Sequence, residues 1–196
     1  MGDLRKPAPA AFIDRDGTLI EEVNFLSRVE DMRVFPFTAN ALQLLKDEGF
    51  RIVVVTNQSG IGRDLYDEAA MHSIHDEMQR QLDGLIDAFY FCPHLPGAGC
   101  ECRKPNLGMI RAAEAEHGLD LARSWMIGDK DLDVATGRNA GMLSAMVLTG
   151  YGKEHSTKLD FAPDVIADDL LAAARIIIES RKARESLIDS GEVENP

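Results

Sequence analysis

Apolar residues in this chain come in short solid runs, and each run breaks into polar residues or glycine. Ala10–Asp14 is the first, ending in charge; RIVVVTN follows from Arg51, and Ile86–Cys92, Ser124–Ile127 and Ser144–Leu148 repeat the form, with Pro163–Ala167 as a short last run. Solid runs of this length predict strands buried on both faces. Between them the apolar spacing turns helical: Ala39–Glu48 places Ala41, Leu42, Leu44 and Leu45 on one side and stops at Gly49, a helix-ending residue. Helices are likewise predicted over Asp67–Leu82, Leu107–His117, Val134–Ala140 and Asp169–Arg184.

Strands separated by helices predict an α/β fold: a doubly wound, Rossmann-like parallel sheet with helices on both faces. No insert is long enough for a large cap domain. The pattern predicts one domain over residues 1–185 and a flexible polar tail over 186–196. In such sheets ligands bind beyond the carboxyl ends of the strands. Asp14, Thr56 and Asp129 each stand where a predicted strand turns polar, so the fold brings them together.

Composition narrows the partners. The 196 residues carry a net charge of −12, which argues against nucleic acid or an anionic membrane as the main partner. No long apolar run and no apolar leader core is present, so a cytoplasmic location is expected. A small anionic substrate fits only if a metal or a local basic cluster reverses the field at its site.

The strand ends supply such groups. Asp14 and Asp16, two residues apart on extended chain, point the same way, and Gly17 permits a sharp turn. With Asp129 they make an oxygen-rich site suited to Mg²⁺, and one carboxylate can attack phosphorus. The run TNQSG offers the Thr56 hydroxyl and backbone N–H groups through Asn57, Gln58 and Ser59 to a phosphoryl oxygen. Arg103 and Lys104 add a two-pronged donor and a compact charge. In GDKDLD, Asp129 is the metal candidate and Asp133 a supporting carboxylate or helix cap; Lys130 reads as a substrate contact or a surface lysine. Taken singly, each segment is also an ordinary turn or solvated pair.

All three cysteines fall in one segment, CPHLPGAGCEC. Cys92, His94, Cys100 and Cys102 make the four-ligand set of a closed structural zinc site, which would order the loop carrying Arg103.

In order, FIDRDGTL, VVVTNQSG, CRKP and IGDKDLD resemble the four motifs of the haloacid dehalogenase superfamily of phosphohydrolases. The resemblance implies Asp14 as nucleophile and Asp16 as the acid that protonates the leaving oxygen and then activates water. It implies that Thr56 and Lys104 steady the phosphoryl group, and that Asp14, the Asp16 carbonyl and Asp129 hold Mg²⁺. The zinc loop followed by CRKP is similar to two groups, the heptose 1,7-bisphosphate phosphatases and the histidinol-phosphatase domains. TNQSGIGR, Gly108–Ile110 and LTGYG look more like the first. That likeness implies substrate contacts from Glu22, Val23, Asn24, Phe25 and Arg103, and loss of the C7 phosphate of a heptose bisphosphate on the way to lipopolysaccharide or other surface glycans; separately, a monomer is expected. The competing expectations are a histidinol-phosphate phosphatase, a phosphatase of nucleic-acid 3′ ends, a phospho-accepting signalling switch, and a zinc-stabilised binding module. The acidic charge and the lack of a phosphate-binding G-x-x-x-x-G-K-[ST] run weigh against the nucleic-acid version.

Overall fold

The computed structural model describes residues 7–189. Six strands, β1 (Ala10–Ile13), β2 (Arg51–Asn57), β3 (Ala88–Cys92), β4 (Trp125–Gly128), β5 (Leu143–Val147) and β6 (Val165–Ala167), form one sheet in the order β3-β2-β1-β4-β5-β6. Every pairing is parallel. The chain begins in the middle, runs out to one edge and returns to build the other half, so the switch point lies between β1 and β4.

Alternation along the strands divides the interior in two. Ala11 and Ile13 of β1, with Ile52 and Val54 of β2, join one core; Ala10 and Phe12, with Val53 and Val55, join the other. All eight are 0% exposed, which accounts for the unbroken apolar runs. The first core is covered by α1 (Thr38–Asp47) through Ala41, Leu42 and Leu45, by α2 (Glu68–Gln81) through Ile74 and Met78, and by α6 (Leu170–Asp189). α6 supplies Leu170, Ala173, Ala174 and Ile177, a single stripe at helical spacing. The second core is covered by α3 (Gly108–His117) through Met109, Ile110 and Ala113. Each fully buried Ile, Leu or Phe contributes roughly 1.5–3 kcal/mol, and the resulting rigid sheet fixes where its carboxyl ends point.

The helix α4 (Asp131–Asn139) starts three residues before the predicted Val134, because the Asp133 carboxylate accepts the Lys130 N–H at 3.1 Å and closes the first turn. The predicted tail also needs correction. α6 continues to Asp189 instead of ending at Arg184; before that point Arg181 donates to the carbonyl of Glu48, the residue that caps α1, at 2.7 Å, and Lys182 pairs with the Glu48 carboxylate at 2.6 Å. The rest of the expected tail, 190–196, lies outside the described residues. A short α5 (Gly152–His155) and three 3-10 turns, including Ile61–Arg63, carry no clear periodicity. Among the described residues, the segment between β1 and α1 holds only one such turn, and that between β3 and α3 has no regular element; neither forms a cap domain. No helix there is long and apolar enough to cross a membrane.

Candidate active site

Register places the polar strand ends side by side. Ile13 lies opposite Val54 and Ile127, so Asp14, Thr56 and Asp129 emerge together at the carboxyl edge of β1, β2 and β4. The Asp14 N–H still donates to the Ile127 carbonyl at 2.9 Å, which fixes that residue at the switch point.

Lys104 reaches the same point from the loop after β3. Its Nζ lies 2.8 Å from Asp14 Oδ1 and 2.7 Å from Asp133 Oδ1, and donates to the Val55 carbonyl at 2.8 Å. Asn57 clamps the lysine backbone from both sides, accepting its N–H at 3.0 Å and donating to its carbonyl at 3.2 Å. Burial alone would raise the Asp14 pKa, but the Lys104 and Lys130 charges outweigh it and hold Asp14 below the usual carboxylate range. Asp14 is therefore an ionised carboxylate in a nearly dry site, as a nucleophile requires.

Asp129 is fully buried. One oxygen accepts the Tyr151 N–H at 2.8 Å; the other, Oδ1, has no hydrogen-bond partner, and the Lys130 ammonium stands 3.8 Å away. Burial first, and the neighbouring Asp14 charge second, push the Asp129 pKa up to about 8. Ligand oxygens of Asp14, Asp129 and Asp133 lie within 4.8 Å of one another. Asp133 is committed to Lys104, so Asp14 and Asp129 are the pair with lone pairs to offer. A buried carboxylate oxygen without a donor, beside a second carboxylate, suits a hard divalent cation.

Thr56 is buried, and its hydroxyl accepts from Gln58 Nε2 at 2.8 Å. The same Nε2 donates to Asp16 Oδ2 at 2.8 Å, while Gln58 Oε1 accepts from the Tyr66 hydroxyl at 2.5 Å. Above these groups opens a small cleft, walled by Glu22–Phe25, by Asn57–Ser59, and by Asp16 and Lys130. Lys130 pairs with Glu22 at 3.1 Å across the cleft and lies over the Tyr151 ring. Phe25 holds a left-handed backbone (φ 56°) at the mouth, with the Arg63 guanidinium 5.7 Å from its ring centroid.

Nearly every site residue expected from sequence thus meets at one strand edge or lines its cleft. Arg103 does neither: its guanidinium donates to the His94 carbonyl at 3.1 Å and is outside the cleft lining. Three lining residues were not anticipated, Arg15, Leu26 and Tyr66. Arg15 stood in plain view between the two aspartates; Tyr66 had only its place just after TNQSG as a signal.

The thiol loop converges as its spacing predicts. Cys92 Sγ is 3.6 Å from Cys100 Sγ and 2.9 Å from Cys102 Sγ, and His94 Nδ1 lies 3.5 Å from Cys92 Sγ and 3.2 Å from Cys102 Sγ. Sulfurs around a tetrahedral zinc stand about 3.8 Å apart, given Zn–S distances of about 2.3 Å. The four atoms form one metal-ligating group and no disulfide. Burial, with the hydrogen bond that the Cys92 thiol shares with Cys102 second, pushes the Cys92 thiol up to about 12.

Comparison with known proteins bears on this geometry. Residues 101–173 match the HAD-hydrolase-like family model. A D-glycero-D-manno-heptose-1,7-bisphosphate 7-phosphatase of Thermosynechococcus vestitus is 42% identical over 87% of this chain and 96% of its own length. The chain belongs to the haloacid dehalogenase-like phosphatases. Within that family, the D-glycero-beta-D-manno-heptose-1,7-bisphosphate 7-phosphatase of Escherichia coli is 33% identical over 91% of this chain and 98% of its own. The crystal structure of the D,D-heptose 1,7-bisphosphate phosphatase of B. bronchiseptica, complexed with magnesium and phosphate, superposes with a TM-score of 0.82 at 31% identity, covering 88% of this chain and 99% of that one.

Proposed function

We propose that the chain hydrolyses the C7 phosphate of D-glycero-D-manno-heptose 1,7-bisphosphate through a phosphorylated Asp14. The observation that carries this reading is an ionised, lysine-paired Asp14 at the sheet's switch point, next to Asp129 with its unpartnered oxygen. The names of the relatives that match over nearly their whole lengths supply the sugar.

An Asp14 oxygen attacks phosphorus, the bond from phosphorus to the C7 oxygen breaks, and the Asp16 proton passes to that oxygen. Asp16, now a carboxylate, takes a proton from water, whose oxygen attacks phosphorus and releases Asp14 and inorganic phosphate. Lys104 and the Thr56 hydroxyl hold the equatorial oxygens in line, which is the main demand of phosphoryl transfer. Asp14, Asp129 and the Asp16 carbonyl are the groups that would hold Mg²⁺. Bound there, the ion neutralises charge between an anionic carboxylate and an anionic ester.

Glu22–Phe25 and Lys130 would contact the sugar, and Arg103 the phosphate that stays, once its side chain leaves the His94 carbonyl. Cys92, His94, Cys100 and Cys102 would hold a structural zinc. We place the protein in the cytoplasm as a monomer whose partner is a small phosphorylated sugar, in the supply of heptose for lipopolysaccharide or other surface glycans.

The test is phosphate release with Mg²⁺ from the heptose bisphosphate and from histidinol phosphate. A kcat/KM at least about a hundredfold higher for the bisphosphate, some 2.7 kcal/mol of discrimination, is expected. Preference for histidinol phosphate would keep the chemistry and overturn the substrate.

A further inference from the structure

Between the two aspartates sits a residue that the reaction scheme leaves idle. Arg15 is only 1% exposed. Its Nε and Nη2 grip the two Asp16 oxygens at 3.1 and 2.9 Å, and its Nη1 faces His75 Nε2 at 3.4 Å. His75 comes from α2, is buried, and stacks on Phe89 of β3 with ring centroids 4.4 Å apart. A guanidinium can only donate, so His75 Nε2 presents its lone pair and the ring proton resides on Nδ1. Burial first, and the Arg15 charge second, hold the His75 pKa down at about 3, which keeps the ring neutral.

The neutral ring matters. An acidic residue at this position would compete with Asp16 for the guanidinium, and an apolar one would leave a buried N–H without an acceptor. An imidazole satisfies the third edge of Arg15 and leaves its charge directed at Asp16. Gln58 completes the hold from the other side through Asp16 Oδ2.

We propose that His75, acting through Arg15, is a positioning residue that aims the Asp16 carboxyl at the leaving oxygen and at the attacking water. This rests on the reading of Asp16 as the proton donor and acceptor of the reaction. It assigns a positioning role to a histidine that lies in none of the sequence motifs.

The test compares an alkyl ester, whose leaving oxygen needs a proton, with 4-nitrophenyl phosphate, whose leaving group does not. His75→Leu is expected to lower kcat on the heptose bisphosphate by about tenfold to a hundredfold, below the full general-acid contribution of roughly 10²–10⁴, with KM within about twofold of wild type. Single-turnover release of nitrophenolate should stay at the wild-type rate. His75→Gln, whose carbonyl can accept from Arg15, should restore kcat on the alkyl ester. Should His75→Leu not fold, His75→Met, which likewise offers Arg15 no good acceptor but is unbranched and packs adaptably, should show the same split.

Equal losses on both esters, an unchanged kcat, or a Gln variant no better than Leu would overturn the proposal and leave His75 a packing residue. If the wild type rejects the heptose bisphosphate, the comparison moves to whichever primary alkyl phosphate it hydrolyses, so the substrate reading fails separately. Inertness of the wild type toward every alkyl phosphate would remove the phosphatase reading and this proposal with it.

Discussion

The carboxylates at the sheet edge and the thiols of the loop after β3 are both groups of metal-ligating atoms, yet they are held in place by different means. Asp14, Asp129 and Asp133 belong to separate strand ends and a helix start, and all three are buried. Their positions follow from parallel pairing, from the Lys104 ion pairs and from two cores that keep the strands in register. Cys92, His94, Cys100 and Cys102 come from one short loop, and Cys100 and Cys102 are partly exposed. Cys92 ends β3, and the other three follow in irregular chain held by hydrogen bonds from Gly62, Arg103, Asn106 and Gly108 to its carbonyls. The first site is assembled by the fold from distant segments; the second is drawn from one stretch of chain.

Four changes test that difference, from the largest effect downward. Asp14→Asn should lower turnover at least about a thousandfold, or roughly 4 kcal/mol, with little change in melting temperature, because Lys104 keeps Asp133 as its partner. A folded variant with substantial phosphatase activity would show that the strand-edge carboxylate is not the nucleophile. Cys100→Ser should do the reverse: zinc content falls, and a loss of roughly 2–5 kcal/mol lowers the melting temperature by about 5–15 °C. Metal analysis alongside calorimetry checks it, and full zinc occupancy with an unchanged melt would break the comparison.

The third test uses pH. His75 is held neutral at about 3 against an ordinary 6.5, so below 6.5 the unfolded chain binds a proton that the fold refuses. Stability therefore falls as pH drops from 6.5 toward 3, by roughly 2 kcal/mol at pH 5. Denaturant melts of wild type and His75→Gln should diverge by that amount between pH 7 and 5; parallel curves would mean the ring is not buried as described. The smallest effect belongs to Arg103→Ala. Loss of a contact to the remaining phosphate should raise KM for the bisphosphate about tenfold, or 1.4 kcal/mol, with kcat unchanged. An unaltered KM would leave Arg103 as a brace on the His94 carbonyl.

The same contrast explains what the sequence made legible. The thiol loop could be read from spacing alone, since its ligands are neighbours in the chain. The carboxylate site could be read only through the fold: solid apolar runs gave parallel strands, and parallel strands brought Asp14, Thr56 and Asp129 to one edge. Groups whose role depends on packing were harder to see. Asp133 was legible as a supporting carboxylate or helix cap and does cap α4, but no local pattern shows that Lys104 arrives from another loop to pair with it. Arg15 drew no reading from the sequence because its partner His75 lies on α2, sixty residues on, and no periodicity links them. The full length of α6 escaped because the apolar stripe that marks the helix ends at Ile177, well before its last turn.

The account stands most directly on where the phosphoryl group goes. Asp16→Asn leaves Asp14 and its lysine in place; it slows the first step, which loses its proton donor, and blocks the second, which loses the group that activates water, so phosphorylated enzyme should accumulate. Rapid quenching of this variant with the heptose bisphosphate and Mg²⁺, followed by peptide mass spectrometry, should find close to one phosphoryl group per chain on Asp14. A phosphoryl group on any other residue, or none during measurable sugar dephosphorylation, would contradict the assignment of the strand-edge carboxylate as nucleophile.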